Sequence, residues 1–471
     1  MTLFSTTAVG DVAVKEASCG TFPLTAAQRD IWLDQLRLGD SPLYNIGGYV
    51  DLAGPVIPEL IQRAVELLVF KHDALRTVLL LDGDGLPRQT FTRALAVQVP
   101  LHDFSTLPDP QSATQALMQQ QMAQLYSMER GPLFRFFLVK LDDDHYRLGT
   151  QAHHLILDGW GFGQMLQSLA GIYCALEQGR QPDLVAPSYI DFIDNDEHYR
   201  ESARYARDRK YWLDKYQALP EPLLVPRYRT PRDNDQAPSH TLVQPFPVAL
   251  LDRMEQVANR YQASAFHVLL AAMYVYFTRT AQRQEWVVGL PILNRSNARF
   301  RSTLGLFAQV SAVRFQFNEQ LPFSALVRGV RDQLKQDFRH QRFPLSEMNR
   351  ELGLLRADRG QLFDLSVSYE QDDHDYRYGQ AMAHAIKVSN HHEQLPIAIH
   401  LRSNRYNHTA CLHCVYNQAY FQHYEVQALA ERFTYLLEQG LEDTTLPVGG
   451  FSLLTPREAE QLLHWNATVQ A

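Results

Sequence analysis

Apolar positions recur at three- and four-residue intervals in some stretches of this chain and at every second residue in others, and the two rhythms alternate. "LTAAQRDIWLDQL" begins a helix: Thr25 is placed to cap it, Gln28 completes a capping box, and Ile31 and Trp32 supply apolar contacts. "IPELIQRAVELLVFKH" reads as a second amphipathic helix with Leu60, Ala64, Leu67 and Leu68 on one face. "ALRTVLLLDGDGLPRQTF" follows as two strands about an Asp-Gly turn. A third helix, near residues 111–130, precedes "LFRFFLVKLDDDHYRLGTQAHH", a hairpin turning at Asp142–Asp144 and ending on paired histidines. "GFGQMLQSLAGIYCALEQG" is then a helix stopped by Gly179.

A polar, proline-containing stretch marks a lobe boundary near residues 178–188, and a charged helix, "DEHYRESARYARDRKYWLDKY", follows it. Beyond lie helices near Leu250–Tyr261 and Ser264–Thr280, the strand "EWVVGLPILNR", the β-like "LFAQVSAVRFQF" and the helix "FSALVRGVRDQLKQDFRHQ". "FDLSVSYE" and "QLPIAIHLRS" read as strands, and a last helix lies near Gln418–Gln439. Helices and strands alternate in both halves, which predicts an α/β fold of two sandwich lobes with a cleft between them. The expected division is a flexible segment over 1–20, a first lobe over 21–183, a second over 184–455 and a linker from 456 to 471.

Composition narrows the function. The chain has 471 residues, 45 % hydrophobic and 20 % charged, enough for a substantial core in each lobe. No apolar run reaches the length of a membrane span, and the first twenty residues do not read as a signal peptide. Four cysteines argue against a disulfide scaffold and for a reducing, cytoplasmic compartment. Cys411 and Cys414 form a C-x-x-C, but the stretch looks extended, and strand residues three apart face opposite sides. A net charge of −8 with the signs well mixed argues against nucleic acid as a partner.

The candidate chemistry sits in "QAHHLILDGWGFG" at residues 151–163. Strand alternation sends His153 and His154 to opposite faces, so only one looks into a cleft. A neutral imidazole there accepts a proton from an attacking amine or hydroxyl. Asp158 is placed to cap the next helix or to hold a cation, and Gly159 and Gly161 let the backbone approach a substrate. The plainer alternatives are two structural histidines and a simple cap, or a metal site, which lacks an obvious third ligand.

"HHLILDG" fits H-H-x-x-x-D-G and resembles the active-site motif of the nonribosomal peptide synthetase condensation domains, within the chloramphenicol acetyltransferase-like superfamily. "LTAAQRDIW", "KHDALRTVL", "SYIDF", "GLPILNR" and "HQRFPL" resemble further family motifs in the family's order, so the likeness covers nearly the whole chain. It implies two chloramphenicol acetyltransferase-like lobes in a V-shaped pseudo-dimer with an active-site tunnel between them. It implies that His154 is catalytic, His153 supporting, and the Gly159 amide near the developing oxyanion. Asp158 would pair with Arg295, Arg76 would brace the structure, and Trp160, Gln309, Ser311 and Tyr369 would line the substrate channel. Two departures stand out: Gly161 replaces a usual serine, and Ala308, Gln309 and Val310 replace part of a phenylalanine-valine-asparagine-threonine stretch.

The likeness further implies no cofactor or metal bound by the domain, with substrates carried on phosphopantetheine or coenzyme A. The expected partners are an acyl-CoA or acyl carrier donor, a downstream peptidyl carrier protein loaded with an amino acid, and an adjacent adenylation domain that "LLTPREAEQLLHWNATVQA" would lead into. If Met1 is the native start, no carrier precedes the domain, which favours the starter subfamily that N-acylates a first amino acid. An aminoacyl or peptidyl donor arriving in trans, an epimerase and a non-catalytic recruitment module are the alternatives. Arg200, Arg204, Arg207, Arg209 and Lys210 form a basic segment suited to an acidic carrier.

Overall fold

The computed structural model describes residues 20–81, 87–93, 95–228, 238–357, 359–372, 376–404 and 408–468. Its strands, in chain order, are β1 Phe22–Pro23, β2 Asn45–Ala53, β3 Thr77–Leu81, β4 Pro87–Phe91, β5 Leu101–Asp103, β6 Phe134–Asp142, β7 His145–His153 and β8 Ser239–Pro245. They continue with β9 Glu285–Ile292, β10 Gln309–Gln316, β11 Leu365–Asp372, β12 Tyr376–Tyr378, β13 Ala381–Lys387, β14 Ile397–Asn404 and β15 Thr409–Asn417.

Two six-stranded sheets carry the two lobes, ordered β12-β13-β2-β7-β6-β5 and β10-β9-β11-β14-β15-β8, with β1-β4-β3 as a small third sheet. The sheets do not follow the division at residue 183. β13 pairs antiparallel with β2, Lys387 opposite Gly48, so the first lobe's sheet takes two strands from the second half of the chain. Nothing in the local pattern announces this, because a strand's partner is set by tertiary packing.

The capping box at Thr25 and Gln28 is present, and the helix runs Ala26–Leu38. The second helix, Pro58–Lys71, buries Ile61, Ala64, Val65, Leu68 and Val69, a face turned by one position from the expected stripe. The third ends earlier than expected, at Ala123, and the charged segment breaks into two helices, Ile190–Arg200 and Ala203–Lys215. The Asp-Gly turn after Leu81 lies outside the described residues, while β3 and β4 pair around it.

Each lobe has its own core. In the second, the helix Ala265–Ala281 is buried nearly all round because the sheet covers one side and the helices Val248–Arg260, Phe323–Asp337 and His423–Glu442 cover the rest. In the first, Leu148 and Ala152 of β7 pack with Leu68, Leu157, Met165 and Tyr173. This core holds β7, and so fixes where the paired histidines emerge. Cys414 is buried in the second core and Cys411 is not, and the described residues contain no cluster of three or more metal-ligating side chains. No helix among them is long and apolar enough to cross a membrane.

Candidate active site

β7 ends at His153, and the chain turns through residues 154–158 before the helix Gly159–Glu177. The His153 amide donates to Leu133 O at 2.8 Å and the His154 amide to Tyr44 O at 2.7 Å, so both neighbouring segments grip the turn. The two imidazoles then diverge. His153 is buried: its Nδ1 accepts from Leu155 N–H at 3.1 Å, which puts the proton on Nε2, toward Gln35 Oε1 at 3.4 Å. Burial, with His154 adjacent, pushes its pKa down to about 3, so it stays neutral.

His154 is half-buried. Its Nδ1 is sealed from solvent without a hydrogen-bond partner, and the backbone of His154 and Leu157 lies close to the ring. Burial lowers its pKa too, keeping the imidazole uncharged and able to accept a proton.

Asp158 organises the crossing between the lobes. It is fully buried, and its Oδ1 caps the following helix through Gly161 N–H at 2.7 Å. Oδ2 accepts from the amides of Phe307 at 2.9 Å and Ala308 at 3.0 Å, and Arg295 donates to both oxygens at 2.9 and 3.1 Å. Arg295 also donates to the carbonyls of Phe300 at 2.5 Å and Thr303 at 2.6 Å, and lies 3.9 Å over the Phe307 ring. Every atom of the carboxylate is thus committed to tying the histidine turn to residues 295–308. The sequence pointed to the ion pair through the likeness but not to the two amides, which depend on main-chain conformation and carry no residue signature.

Glycines make the crossing close enough. A Cβ on Gly305, whose φ is +150°, would lie 2.2 Å from the Tyr189 ring. One on Gly161 would lie 3.0 Å from Leu157 and 3.1 Å from Gly305 O, so the departure at 161 matches a tight contact between lobes. Gly159 is different: it is exposed, and a Cβ there would meet nothing within 4 Å. Its N–H, in the helix's first turn, has no partner within the helix.

The other expected residues are spread out. Trp160 donates Nε1–H to Arg301 O at 2.9 Å, bridging the lobes. Gln309 is half-buried at the start of β10, next to the Ala308 amide on Asp158. Ser311 is buried opposite Leu290, its Oγ unpartnered. Tyr369 opens into a cavity of about 430 Å³ with Phe266, Asn259 and Glu255, on the helix side of the second sheet. Arg76 donates to Val69 O at 3.1 Å and Thr92 O at 2.6 Å and makes no hydrogen bond to the histidine turn. In the neighbouring motifs Asp73 accepts from Ser188 and the Tyr189 amide, and His340 bonds Asp208 at 2.8 Å while stacking on Tyr211. Arg200, Arg204, Arg209 and Lys210 are already paired with Glu347, Asp208, Glu351 and Asp214.

Comparison with known proteins finds likeness over nearly the whole chain. The dimodular nonribosomal peptide synthase of Bacillus subtilis is 25 % identical over 96 % of this chain and 19 % of its own length. The phosphinothricin tripeptide synthetase PhsC of Streptomyces viridochromogenes is 26 % identical over 96 % of this chain and 42 % of its own. The chain therefore spans less than half the length of these relatives. A variant of the starter condensation domain of rhizomide synthetase RzmA, in complex with C8-CoA, superposes with a TM-score of 0.82 at 26 % identity, over 92 % of this chain and 98 % of that one. The first condensation domain of the calcium-dependent antibiotic synthetase shares the fold, with a TM-score of 0.82 at 23 % identity over 93 % and 99 %. Condensation domains are acyltransferases that form amide bonds and need no bound cofactor, their substrates arriving on phosphopantetheine or coenzyme A. The Condensation domain model matches residues 18–463, and the chain belongs to that family.

Proposed function

We propose that this domain N-acylates an aminoacyl group held on a carrier protein, taking the acyl group from a coenzyme A or acyl carrier thioester. The observation that carries this reading is a neutral, half-buried His154 on a turn that Asp158 and Arg295 hold rigid and that leads directly into the first-turn amide of Gly159. The amine nitrogen attacks the thioester carbonyl while His154 Nε2 orients it and accepts its proton. The Gly159 N–H, at the positive end of its helix, stabilises the oxyanion that forms. The C–S bond then breaks, the thiolate leaves with a proton, and the amide remains. A thioester is already activated, so positioning between two lobes supplies most of what the reaction requires. His153, whose Nδ1 serves Leu155, holds the turn and does not touch substrate.

Similarity to a starter domain in complex with C8-CoA supports the acyl donor, and the family supports a carrier-bound acceptor. We assign residues 456–471 to the start of a linker toward an adenylation domain; in the helix Pro456–Thr468, Leu463 stands 70 % exposed. The test is a panel of acyl-CoAs against one aminoacyl-loaded carrier, read by intact-protein mass spectrometry. Product at one or more chain lengths is expected. Product only from aminoacyl- or peptidyl-carrier donors would replace the starter assignment with an elongation one.

A further inference from the structure

The face of the second sheet turned away from its helices carries a concentration of charge. Alternation along β11 and β14 sends Leu365, Val367, Ile397, Ile399 and Leu401 into the helix-side core, leaving Ser368, Glu370, His400 and Arg402 on the other face. Register makes these neighbours: Ser368 lies opposite His400, Glu370 opposite Arg402, and His400 opposite His413. Glu370 accepts from Arg402 Nε at 3.0 Å and from Lys387 Nζ at 2.6 Å. Lys387 belongs to β13 and hence to the first lobe's sheet, so the cluster stands where the two sheets meet.

Its charges do not balance. Burial alone would raise Glu370, but Lys387 and Arg402 outweigh it and hold the carboxyl well below the usual range. Burial pushes both His400 and His413 down to about 4, so neither is charged near neutral pH. Among the described residues one carboxylate therefore faces two permanent cations. The cations also have free donors. Arg402 meets Glu370 through Nε alone and gives one NH1 hydrogen to His413 Nδ1 at 3.2 Å, so among the described residues its NH2 has no partner. Among the described residues Lys387 makes one side-chain bond, and its side chain is 62 % exposed. A tie between strands would use these donors more fully; a guanidinium with an NH2 to spare beside an exposed ammonium is a pairing that receives a carboxylate or phosphate.

Distance adds a constraint. Lys387 pairs with Gly48 and Gly48 with Thr150, four residues before His154. Two strand spacings of about 4.8 Å and four residues of about 3.3 Å put Lys387 roughly 16 Å from His154, backbone to backbone.

We propose that Arg402 and Lys387 form an anion-recognition site for the thioester substrate, receiving a negatively charged group at the end of the chain remote from the reacting carbonyl. The inference rests on reading His154 as the reaction centre. Two sources carry such a charge: a carboxylate at the tip of the acyl group, or the phosphodiester of the pantetheine arm.

The test is calorimetric binding of three stable thioether analogues: acyl-pantetheine, its 4′-phosphate, and a phosphate-free version with a terminal carboxylate on the acyl chain. At least one charged probe binds the unaltered protein tenfold or more tighter than the neutral one. The advantage shrinks to within about twofold in Arg402→Gln and in Lys387→Gln, and it grows in Glu370→Gln, where the competing carboxylate is gone. Which charged probe gains identifies the source. If the three probes are indistinguishable, or if Arg402→Gln and Lys387→Gln weaken all of them equally, the cluster is only a tie between strands and the proposal is overturned. Turnover does not enter this measurement, so failure of amide formation would count against the reaction and not against the anion site.

Discussion

Replacing Asp158 by asparagine changes one atom and should cost the protein much of its stability. In the native arrangement Oδ1 serves Gly161 N–H and Arg295, while Oδ2 serves the amides of Phe307 and Ala308 and Arg295 again. Asparagine keeps one acceptor and turns the other into an NH2 that points two hydrogens at donors. The Arg295 side chain, 1 % exposed, then has no counter-charge; breaking a buried pair from one side typically costs about 3–5 kcal/mol. Each amide left unpaired adds about 1–3 kcal/mol, though the terms share atoms and do not simply add. The expected loss is about 4 kcal/mol or more, against a total stability of order 5–15 kcal/mol. Urea titration followed by circular dichroism and by tryptophan fluorescence should show a lower midpoint with a nearly unchanged slope. An Asp158→Asn protein within about 1 kcal/mol of the unaltered one would refute the account of this carboxylate as the hub of the crossing.

His154→Ala should lower the rate of amide formation by about 10²–10⁴-fold while leaving the melting temperature nearly unchanged, since no side-chain hydrogen bond is lost; full activity in a mass-spectrometric assay would refute its role. Gly159→Ala should leave the fold intact, because its Cβ meets only open space, yet depress turnover by placing a methyl group beside the oxyanion amide. Gly305→Ala, driven into the Tyr189 ring, should instead destabilise by about 2 kcal/mol or more in the same urea titration, with an unchanged midpoint counting against the close approach. Acid should weaken the fold through His72 and His153, both held neutral by burial with pKa values near 3. The unfolded chain takes up these protons below about 6.5 and the folded one does not, so stability is complete above that pH and falls by about 1.4 kcal/mol per unit for each histidine down to pH 3. His153→Gln should flatten the slope by one proton's worth, and an unchanged slope would show that His153 already titrates in the folded state.

Much of the fold was legible because its signals are local. Thr25 and Gln28 form a capping box by spacing alone, and the hairpin of β6 and β7 turns where three consecutive aspartates interrupt two apolar runs. Different surroundings for His153 and His154 were expected from strand alternation, although His154 already lies in the turn past β7, and Asp158 and Arg295 were found through motif likeness. What escaped was non-local. The amides of Phe307 and Ala308 act through the main chain, so any residue there presents the same donor. The pairing of β13 with β2 joins segments more than three hundred residues apart, which no periodicity encodes. The cluster around Glu370 is assembled from four strands, each of which contributes one or two ordinary-looking polar positions.

The crossing of β13 also bears on how the molecule is made. β7 ends at residue 153 and β13 at residue 387, 234 residues later. At about 5–20 residues per second, a ribosome takes roughly 10–50 s to cover that interval. Throughout it the outer side of β2 has no native neighbour, and its bare row of amides and carbonyls is open to any passing strand. The nascent first half thus carries an unpaired strand edge, and chaperone dependence should concentrate there and end once Lys387 has been synthesised and paired.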